Sequence, residues 1–413
     1  MDTSQPLPKL TNPLEFNAGR YLLRLYCVTI LPTMLAVGLI ALVMAWSGLG
    51  LTPTEFVRMQ EQNRNLAWAG PLQLWGSIKY ARVTKDKPEI VVIGASRAGQ
   101  IRSGMFKPYR FYNANMIGWT LERLYKVVDE ISRTDPPRLV IFTLDYFMLT
   151  SNYEARWRKY EEAMPLVYGT IEAKLAGMKA LSTSLRNTPL RTIEKIKEGM
   201  FDASDARLGG LQVFGPPSRS DVNVAFRYDG SMLYFPWYLS QSAAANSGPM
   251  PLLAMVDEGS GERIDPNQMT WLRNLAAFAR QRGVVLVGVQ LPLPEEVVSV
   301  LDGDSDFVED QKTYRARDRQ VWKEFETDRT RAAFKEMGIV FFDFVRSTKV
   351  GDRHLFADVS HPGEYLVLSS MIEMLKDPYM RSLLPNIDIE RLESIKRKSK
   401  SDQSYFDIFQ SNF

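Results

Sequence analysis

Cysteine and histidine are both scarce in this chain, whose 413 residues include one Cys and two His. A single Cys excludes an intrachain disulfide framework and a Cys-rich zinc site. Two His leave little room for a histidine-based metal site, so we expect neither a metal nor another cofactor. The formal net charge is only +3, from 51 basic and 48 acidic residues. This balance, without a long basic stripe, argues against a protein dedicated to nucleic-acid binding.

The rest of the composition is that of an ordinary globular protein. Hydrophobic residues make up 45% of the chain and charged residues 24%, which excludes disorder throughout. The length suffices for one large domain or two modest domains with a packed core. The mean hydropathy is negative, which excludes a polytopic membrane protein but not a single membrane span.

One long uncharged run covers residues 27–46 (CVTILPTMLAVGLIALVMAW). Twenty residues at about 1.5 Å each match the ~30 Å hydrocarbon core of a membrane. Lys9, Arg20 and Arg24 precede the run, a weak bias that favours a cytoplasmic N-terminus. We predict a single-pass anchor in the cytoplasmic (inner) membrane, with the larger part of the chain in the periplasm. A cleaved signal peptide and a buried core helix are the alternatives.

After residue 88, short apolar runs alternate with helical segments. The predicted strands cover residues 89–94, 111–115, 138–144, 283–291 and 338–344. The predicted helices cover residues 120–132, 270–282, 331–337 and 364–375. Strands that are apolar on both faces and alternate with helices predict an α/β fold, with helices on both sides of a doubly wound, parallel, five-stranded sheet. In such flavodoxin-like sheets, ligands bind beyond the carboxyl ends of the strands.

This pattern divides the chain into five predicted parts. They are a cytoplasmic N-terminus (1–20), the anchor (21–48), a polar linker with a helical piece (49–88), the α/β domain (89–376) and a C-terminal tail (377–413). The domain carries an insertion at 150–264, with helices predicted over 152–168 and 171–185 and a Gly/Pro/Ser-rich stretch over 203–221. The insertion also holds an aromatic cluster of Tyr234, Phe235, Trp237 and Tyr238. It forms either the mouth of a site or partner surface, or a structural subdomain.

The tail combines a basic run at 396–400 (KRKSK) with the aromatic ending SYFDIFQSNF. A free terminus is usually polar, so this ending is expected to dock, either on a partner or on its own domain.

The residues that follow the first three predicted strands can carry chemistry. Ser96, in Gly94-Ala95-Ser96-Arg97, lies where a strand turns into a helix, although it could be a plain N-cap. After the second strand, Asn115 and Gly118 can offer an amide and a backbone N–H to an oxyanion, or serve only a turn. Asp145 follows the third strand, where a capping or salt-bridged acid is the alternative.

The last candidate segment is Asp358-Val359-Ser360-His361-Pro362. An Asp three residues before a His can hydrogen-bond the imidazole and fix its tautomer, and the His can then deprotonate a serine. The alternative is a surface His in a capping loop.

Together these segments resemble the SGNH (GDSL-like) hydrolase family over roughly residues 88–376, with the insertion outside the match. The resemblance implies that Ser96 is the nucleophile of a triad with His361 and Asp358. It also implies an oxyanion hole from the Ser96 N–H and Gly118, helped by Asn115. The remaining candidates for the site are Arg97 and Asp145. The family pattern is broken at GASR, which replaces GDSL, and at Asp145, because an ionised acid cannot donate where the family has Asn.

The anchored layout resembles SGNH proteins that acylate cell-surface polymers, including those of teichoic-acid D-alanylation. The resemblance implies a polytopic membrane-bound O-acyltransferase as partner and a cell-envelope polysaccharide as acceptor. It implies transfer or removal of acyl groups, acetyl being the expected one, through an acyl-Ser96 intermediate. The basic tail run could meet membrane lipid headgroups or an anionic polymer. The alternatives are a partner-independent deacetylase or esterase and a non-catalytic, polymer-binding scaffold.

Overall fold

The structure of the protein is a computed structural model. It describes residues 18–46, 51–62, 67–68, 72–133, 135–162, 164–167, 169–187, 189–190, 193, 213–214, 224–234, 239, 263–304, 307–309, 312–314, 318–346, 353–358, 360–402 and 405–409.

A parallel sheet of five strands forms the centre of the molecule. Its strands are β1 (Ile90–Gly94), β2 (Phe111–Asn115), β3 (Leu139–Thr143), β4 (Val285–Gln290) and β5 (Val340–Asp343). Their order across the sheet is β2-β1-β3-β4-β5, and all neighbours are parallel. The predicted five-stranded parallel sheet is confirmed. The order reverses between β1 and β3, so their carboxyl ends flank the crevice where such sheets place ligand sites.

The described residues form helices that pack on the sheet and others that lie outside it, numbered in chain order. They are α1 (Ala18–Leu25), α2 (Leu31–Trp46), α3 (Pro53–Gln62), α4 (Leu72–Asp86), α5 (Leu121–Ile131), α6 (Ser151–Glu162), α7 (Thr170–Asn187), α8 (Pro266–Gln281), α9 (Glu295–Asp302), α10 (Arg319–Phe325), α11 (Asp328–Met337), α12 (Glu364–Lys376), α13 (Pro378–Leu383) and α14 (Ile389–Ser401). The predicted helices agree with these bounds to within a few residues, except that the predicted 152–168 helix ends at Glu162.

Both faces of the sheet are buried by helices. Alternate strand residues point to opposite faces, so Val91 and Ile93 join one core cluster and Ile90 and Val92 the other. The first cluster contains side chains of α5, α8, α9, α10 and α11, and the second those of α12, α13 and α14. Burying each large aliphatic side chain stabilises the fold by about 1.5–3 kcal/mol relative to exposure. This apolar core explains why the strands are readable from sequence.

The N-terminal apolar run is helical through α1, a π-helical stretch (Tyr26–Ile30) and α2. Within it, Gly19–Val43 is one helix of 25 residues that is long and apolar enough to cross a membrane. Its most apolar window is not buried in the protein, which argues against a core helix. The signal-peptide alternative passes the same test and stays open.

The predicted linker and tail both contribute to the packed domain. Helix α4 lies inside the predicted linker, yet Ile78, Lys79 and Arg82 on it are buried. Its buried side includes two cations, which is why the sequence pattern resembles a polar linker. In the predicted tail, α13 and α14 bury Met380 and Leu392 against the second core cluster.

Part of the insertion packs beside the sheet. Strands Val224–Phe226 and Met232–Tyr234 form a hairpin, which belongs to a small sheet with Ala67–Trp68 and Val213–Phe214. The hairpin turn docks on β2, since the Asp229 carbonyl accepts a 2.8 Å hydrogen bond from Asn113 N–H. Of the predicted aromatic cluster, Tyr234 is described and buried, whereas Phe235, Trp237 and Tyr238 lie outside the described residues. Of the stretch 203–221, only Val213 and Phe214 are described.

Candidate active site

Ser96 lies at the carboxyl end of β1. The strand ends at Gly94, whose φ is +151°, and a Cβ there would lie 2.4 Å from Thr143 Oγ1. Only glycine fits this close approach to β3. Ala95 is buried, and Ser96 then begins a 3₁₀ turn (Ser96–Gln100) with its side chain partly exposed. The serine therefore sits in the crevice between β1 and β3.

His361 comes from the loop before α12. The loop closes on itself, because Ala357 N–H donates to His361 O at 2.8 Å and Gly363 N–H donates to Leu355 O at 2.8 Å. Its closure points the imidazole back towards β1.

Ser96, His361 and Asp358 form a continuous hydrogen-bonded chain. His361 Nε2 lies 2.6 Å from Ser96 Oγ, and its Nδ1 lies 2.7 and 2.8 Å from the two Asp358 oxygens. A carboxylate only accepts, so we assign the ring proton to Nδ1. Nε2 is then free to accept the Ser96 hydroxyl proton, which is the arrangement that a serine nucleophile requires. The structure brings the predicted triad together, and its catalytic role stays a prediction.

Hydrogen bonds within the loop keep the Asp358 side chain ionised. One of its oxygens also accepts from Ser360 N–H at 2.8 Å, Ser360 Oγ at 2.9 Å and His361 N–H at 2.9 Å. Burial by itself raises the pKa of Asp358, but the charge and hydrogen bonds of His361 and Ser360 outweigh burial. The net pKa lies well below the ordinary value, so the carboxylate is ionised and stabilises an imidazolium.

Arg97 and Asp145 form a buried ion pair under the site, which we call the sheet pair. Arg97 Nη1 donates to Asp145 Oδ1, while Nη2 donates to Leu291 O at 2.6 Å and Pro292 O at 3.0 Å. The side chains are only 4% and 1% exposed. Burial raises the pKa of Asp145, and Arg97 opposes the shift. The pair fastens the loops after β1, β3 and β4 together; direct contact with substrate stays a prediction, and this burial argues against it.

Asn115 and Gly118 occupy different surroundings. A Cβ at Gly118 would lie 2.9 Å from Ile93 Cγ2, so close packing on β1 requires glycine there whatever its role in an oxyanion hole. Asn115 is fully buried at the end of β2, and its Oδ1 accepts from Lys79 Nζ. Its Nδ2 has no partner among the described residues. Asn115 therefore has an unpaired amide N–H on the side of the serine turn. A role of either residue in an oxyanion hole stays a prediction.

Glu161 supports the loop after β2 and is not among the site residues predicted from the sequence. Its carboxylate accepts from Trp119 N–H, Thr120 N–H and Thr120 Oγ1 at 2.8, 2.8 and 2.6 Å. These groups form the N-terminus of α5, where an acid is favourable. Burial nevertheless raises the pKa of Glu161 to about 7. The residue belongs to α6, far from the loop in sequence, so no local pattern marks it.

A second set of buried charges joins the insertion and the C-terminal residues to the site. We call it the charge clamp, and its members are Arg102, Arg227, Asp229, Glu364 and Asp407. Arg102 lies 3.4 Å from Asp229, 3.1 Å from Glu364 and 3.4 Å from Asp407. Arg227 lies 2.7 Å from Asp407. The charge clamp therefore holds the hairpin, α12 and residues 405–409 in one place.

Aromatic side chains held by the charge clamp line the His361 loop. The ring of Tyr234 lies 6.2 Å from that of His361 and 6.4 Å from that of Phe406. A Cβ at Gly363 would lie 2.9 Å from the Phe406 ring. The described part of the aromatic ending thus docks on its own domain, one of the two predicted possibilities. Residues 410–413 lie outside the described residues.

Comparisons with known proteins do not identify the chain: no protein-family model, no curated protein and no solved structure matches it. The resemblance to SGNH hydrolases therefore stays a prediction. Within the described part of the chain, no group of three or more His, Cys, Asp or Glu side chains could hold a metal ion.

Proposed function

We propose that the protein is a membrane-anchored serine acyltransferase or esterase of the SGNH type that acts on a cell-envelope polysaccharide. The 2.6 Å contact of Ser96 Oγ with His361 Nε2, backed by Asp358, carries the proposal. No other hydroxyl of the described residues is bonded to a His that is itself bonded to an acid, apart from Ser360 within the same loop.

The chemistry follows from this chain of contacts. His361 Nε2 takes the Ser96 proton while Oγ attacks the acyl carbonyl, and the carbonyl oxygen becomes an oxyanion that Asn115 Nδ2 can bind. The intermediate collapses to an ester on Ser96, and His361 gives its proton to the departing group. A polymer hydroxyl or water then attacks the ester, His361 removes its proton, and Ser96 leaves with a proton restored.

A membrane anchor is better suited to acyl transfer than to hydrolysis. Outside the cytoplasmic membrane there is no acyl-CoA pool, so a surface acyltransferase needs acyl groups delivered by a membrane partner. We expect a polytopic membrane-bound O-acyltransferase in that role. The apolar helix Gly19–Val43, which is long enough to cross a membrane, supports attachment to the same membrane. We expect the α/β domain on the periplasmic side, because Lys9, Arg20 and Arg24 precede the uncharged run.

A Ser96→Ala variant tests the proposal. We expect it to abolish acylation of the envelope polysaccharide in cells and to slow hydrolysis of p-nitrophenyl acetate by the full-length protein at least about 10³-fold. Ser382→Ala is the matched control, because Ser382 is exposed and bonds only to Tyr379 O on α13. Unchanged acylation in the Ser96 variant, with normal protein levels, would favour the non-catalytic scaffold.

Mass spectrometry separates transfer from hydrolysis. An acyl adduct on Ser96 that is passed to added polysaccharide supports transfer, whereas rapid ester cleavage without partner or polymer supports a partner-independent esterase. Both outcomes keep the acyl-Ser96 intermediate, and absence of any adduct under slow-turnover conditions argues against it.

A further inference from the structure

Lys79 is a buried cation that touches the candidate oxyanion donor. It lies on α4 with 1% of its surface exposed. Its Nζ donates to Asn115 Oδ1, to Asn113 O at 3.0 Å and to Gly230 O at 2.7 Å, and lies 4.1 Å from the centre of the Phe226 ring. Three oxygens can accept the three protons of an ammonium group. The lysine side chain is therefore held in a single position.

Burial and the neighbouring acceptor groups shift the pKa of Lys79 in opposite directions. Burial lowers the pKa of Lys79 well below its ordinary value. The negative charge of Asp229 opposes this shift. The three acceptor oxygens and the aromatic ring also favour the protonated amine, because a neutral amine has only two N–H groups for three acceptors. Gly230 brings its carbonyl close only because it lacks a side chain, since its φ is +79° and a Cβ would lie 2.1 Å from Asn113 O.

This contact decides which way the Asn115 amide faces. An ammonium only donates, so the side of the amide towards Lys79 must be the carbonyl oxygen. The amide nitrogen then faces the other way, towards the serine turn, where a Cβ on Gly99 would lie 3.0 Å from Asn115 Nδ2. That nitrogen is buried and has no partner among the described residues. An unpaired, buried donor costs free energy unless a ligand atom satisfies it.

The neighbouring Asn113 differs from Asn115 in the hydrogen bonding of its amide nitrogen. Its side chain projects from the same face of β2, but its Nδ2 donates to Ala98 O and Ile101 O, both at 2.8 Å. It thereby fixes the serine turn to the strand. Asn113 therefore has a complete set of amide hydrogen bonds in the free protein, whereas Asn115 has an unpaired donor.

We propose that Lys79 is a positioning residue that orients Asn115 Nδ2 towards the oxyanion formed during acyl transfer on Ser96; this inference rests on the proposed function. Lys79 itself does not contact the acyl group. It acts by excluding the flipped amide, which would place an oxygen where the oxyanion forms.

A double-mutant cycle tests the inference. The variants Asn115→Ala, Lys79→Met and the double variant are compared as full-length protein in detergent, with p-nitrophenyl acetate turnover and the rate of fluorophosphonate labelling of Ser96 as readouts. Loss of one oxyanion donor lowers kcat about 10²–10³-fold. We expect that loss for Asn115→Ala, a loss of about 10-fold for Lys79→Met, little change in KM, and a double variant no slower than Asn115→Ala. Losses that multiply would show that Lys79 does not act through Asn115.

Two further variants distinguish a loss of positioning from a loss of folding. Asn115→Asp keeps the oxygen that accepts from Lys79 but replaces the N–H donor by a second oxygen, so we expect normal thermal stability and a loss of kcat at least as large as for Asn115→Ala. Arg82→Met is the matched control for Lys79, because Arg82 is a buried cation of α4 that pairs with Asp86 and not with Asn115. It should lower stability and leave kcat within about 2-fold of wild type.

The proposed function and the positioning role of Lys79 can be tested separately. If Ser96→Ala leaves turnover and labelling unchanged, the proposed function is wrong. If Ser96→Ala abolishes both but Asn115→Asp retains full kcat, only the inference about Lys79 and Asn115 is overturned.

Discussion

The sheet pair and the charge clamp support the same site in different ways. The sheet pair consists of two groups at most 4% exposed, and its Arg97 is further bonded to two carbonyls of the loop after β4. The charge clamp joins five groups from four segments, and its Asp407 is 35% exposed. The sheet pair thus fixes loops of the sheet itself, while the charge clamp fastens added segments across the site. This contrast indicates that the sheet loops are rigid and that residues 405–409 are held more weakly.

The largest loss of stability is expected from Arg97→Met, which leaves Asp145 buried without its partner. Breaking a buried ion pair costs about 3–5 kcal/mol. We expect the free energy of unfolding, measured by urea titration in detergent, to fall by that amount. Replacing both members by apolar residues (Arg97→Met with Asp145→Leu) should recover most of it. A loss below 1 kcal/mol in the single variant would mean that the sheet pair does not hold the loops.

An intermediate loss of stability is expected when acid protonates the charge clamp. Burial by itself raises the pKa of Asp229, but Arg102 and the hydrogen bonds of Ser231 and Ser103 outweigh it and lower the pKa to about 2. A lowered pKa means that the stabilisation is complete above the unfolded value of about 3.9 and is lost as pH falls towards 2. The difference corresponds to roughly 2–3 kcal/mol.

The measurement is thermal unfolding between pH 2 and 5, with Asp229→Asn beside the wild type. The variant should be less stable at pH 5 and should show a smaller loss on acidification. Parallel curves for the two proteins would contradict the assignment.

The smallest effect is expected from Asp407→Asn, because Arg102 and Arg227 keep other partners. We expect a loss of about 1 kcal/mol or less in global stability. Hydrogen exchange at residues 405–409 should nevertheless become faster, and acyl transfer should fall several-fold as Phe406 leaves the His361 loop. Exchange as slow as in wild type would show that the aromatic contacts alone hold this segment. Complex formation with the partner, tested after removal of residues 402–413, reports separately on whether the ending binds it.

The sequence patterns predict the sheet and the triad because both signals are local. Four of the five strands are short apolar runs, β2 (FYNAN) being the exception. Asp358 and His361 are three residues apart. The serine follows directly from the end of β1. Each of these features is local, but joining Ser96 to His361 across 265 residues also needed the resemblance to SGNH hydrolases and the rule that strand ends meet at one edge of a parallel sheet.

The supporting residues could not be predicted in this way. Lys79 meets Asn113 and Gly230 across 34 and 151 residues of chain. A buried lysine on a helix looks like a solvated one when only its own helix is considered. For the same reason α4 resembles a linker in sequence, and the acids of the charge clamp resemble ordinary surface acids until their partners are known.

The docking of the hairpin turn on β2 has a consequence for solubility. The strand lies at the edge of the sheet, where unpaired backbone groups can recruit another chain. The N–H of Asn113 is bonded to Asp229 O and its carbonyl to Lys79, so the middle of this edge is closed. A change that loosens the hairpin therefore exposes an edge for self-association, and aggregation would accompany the loss of the site.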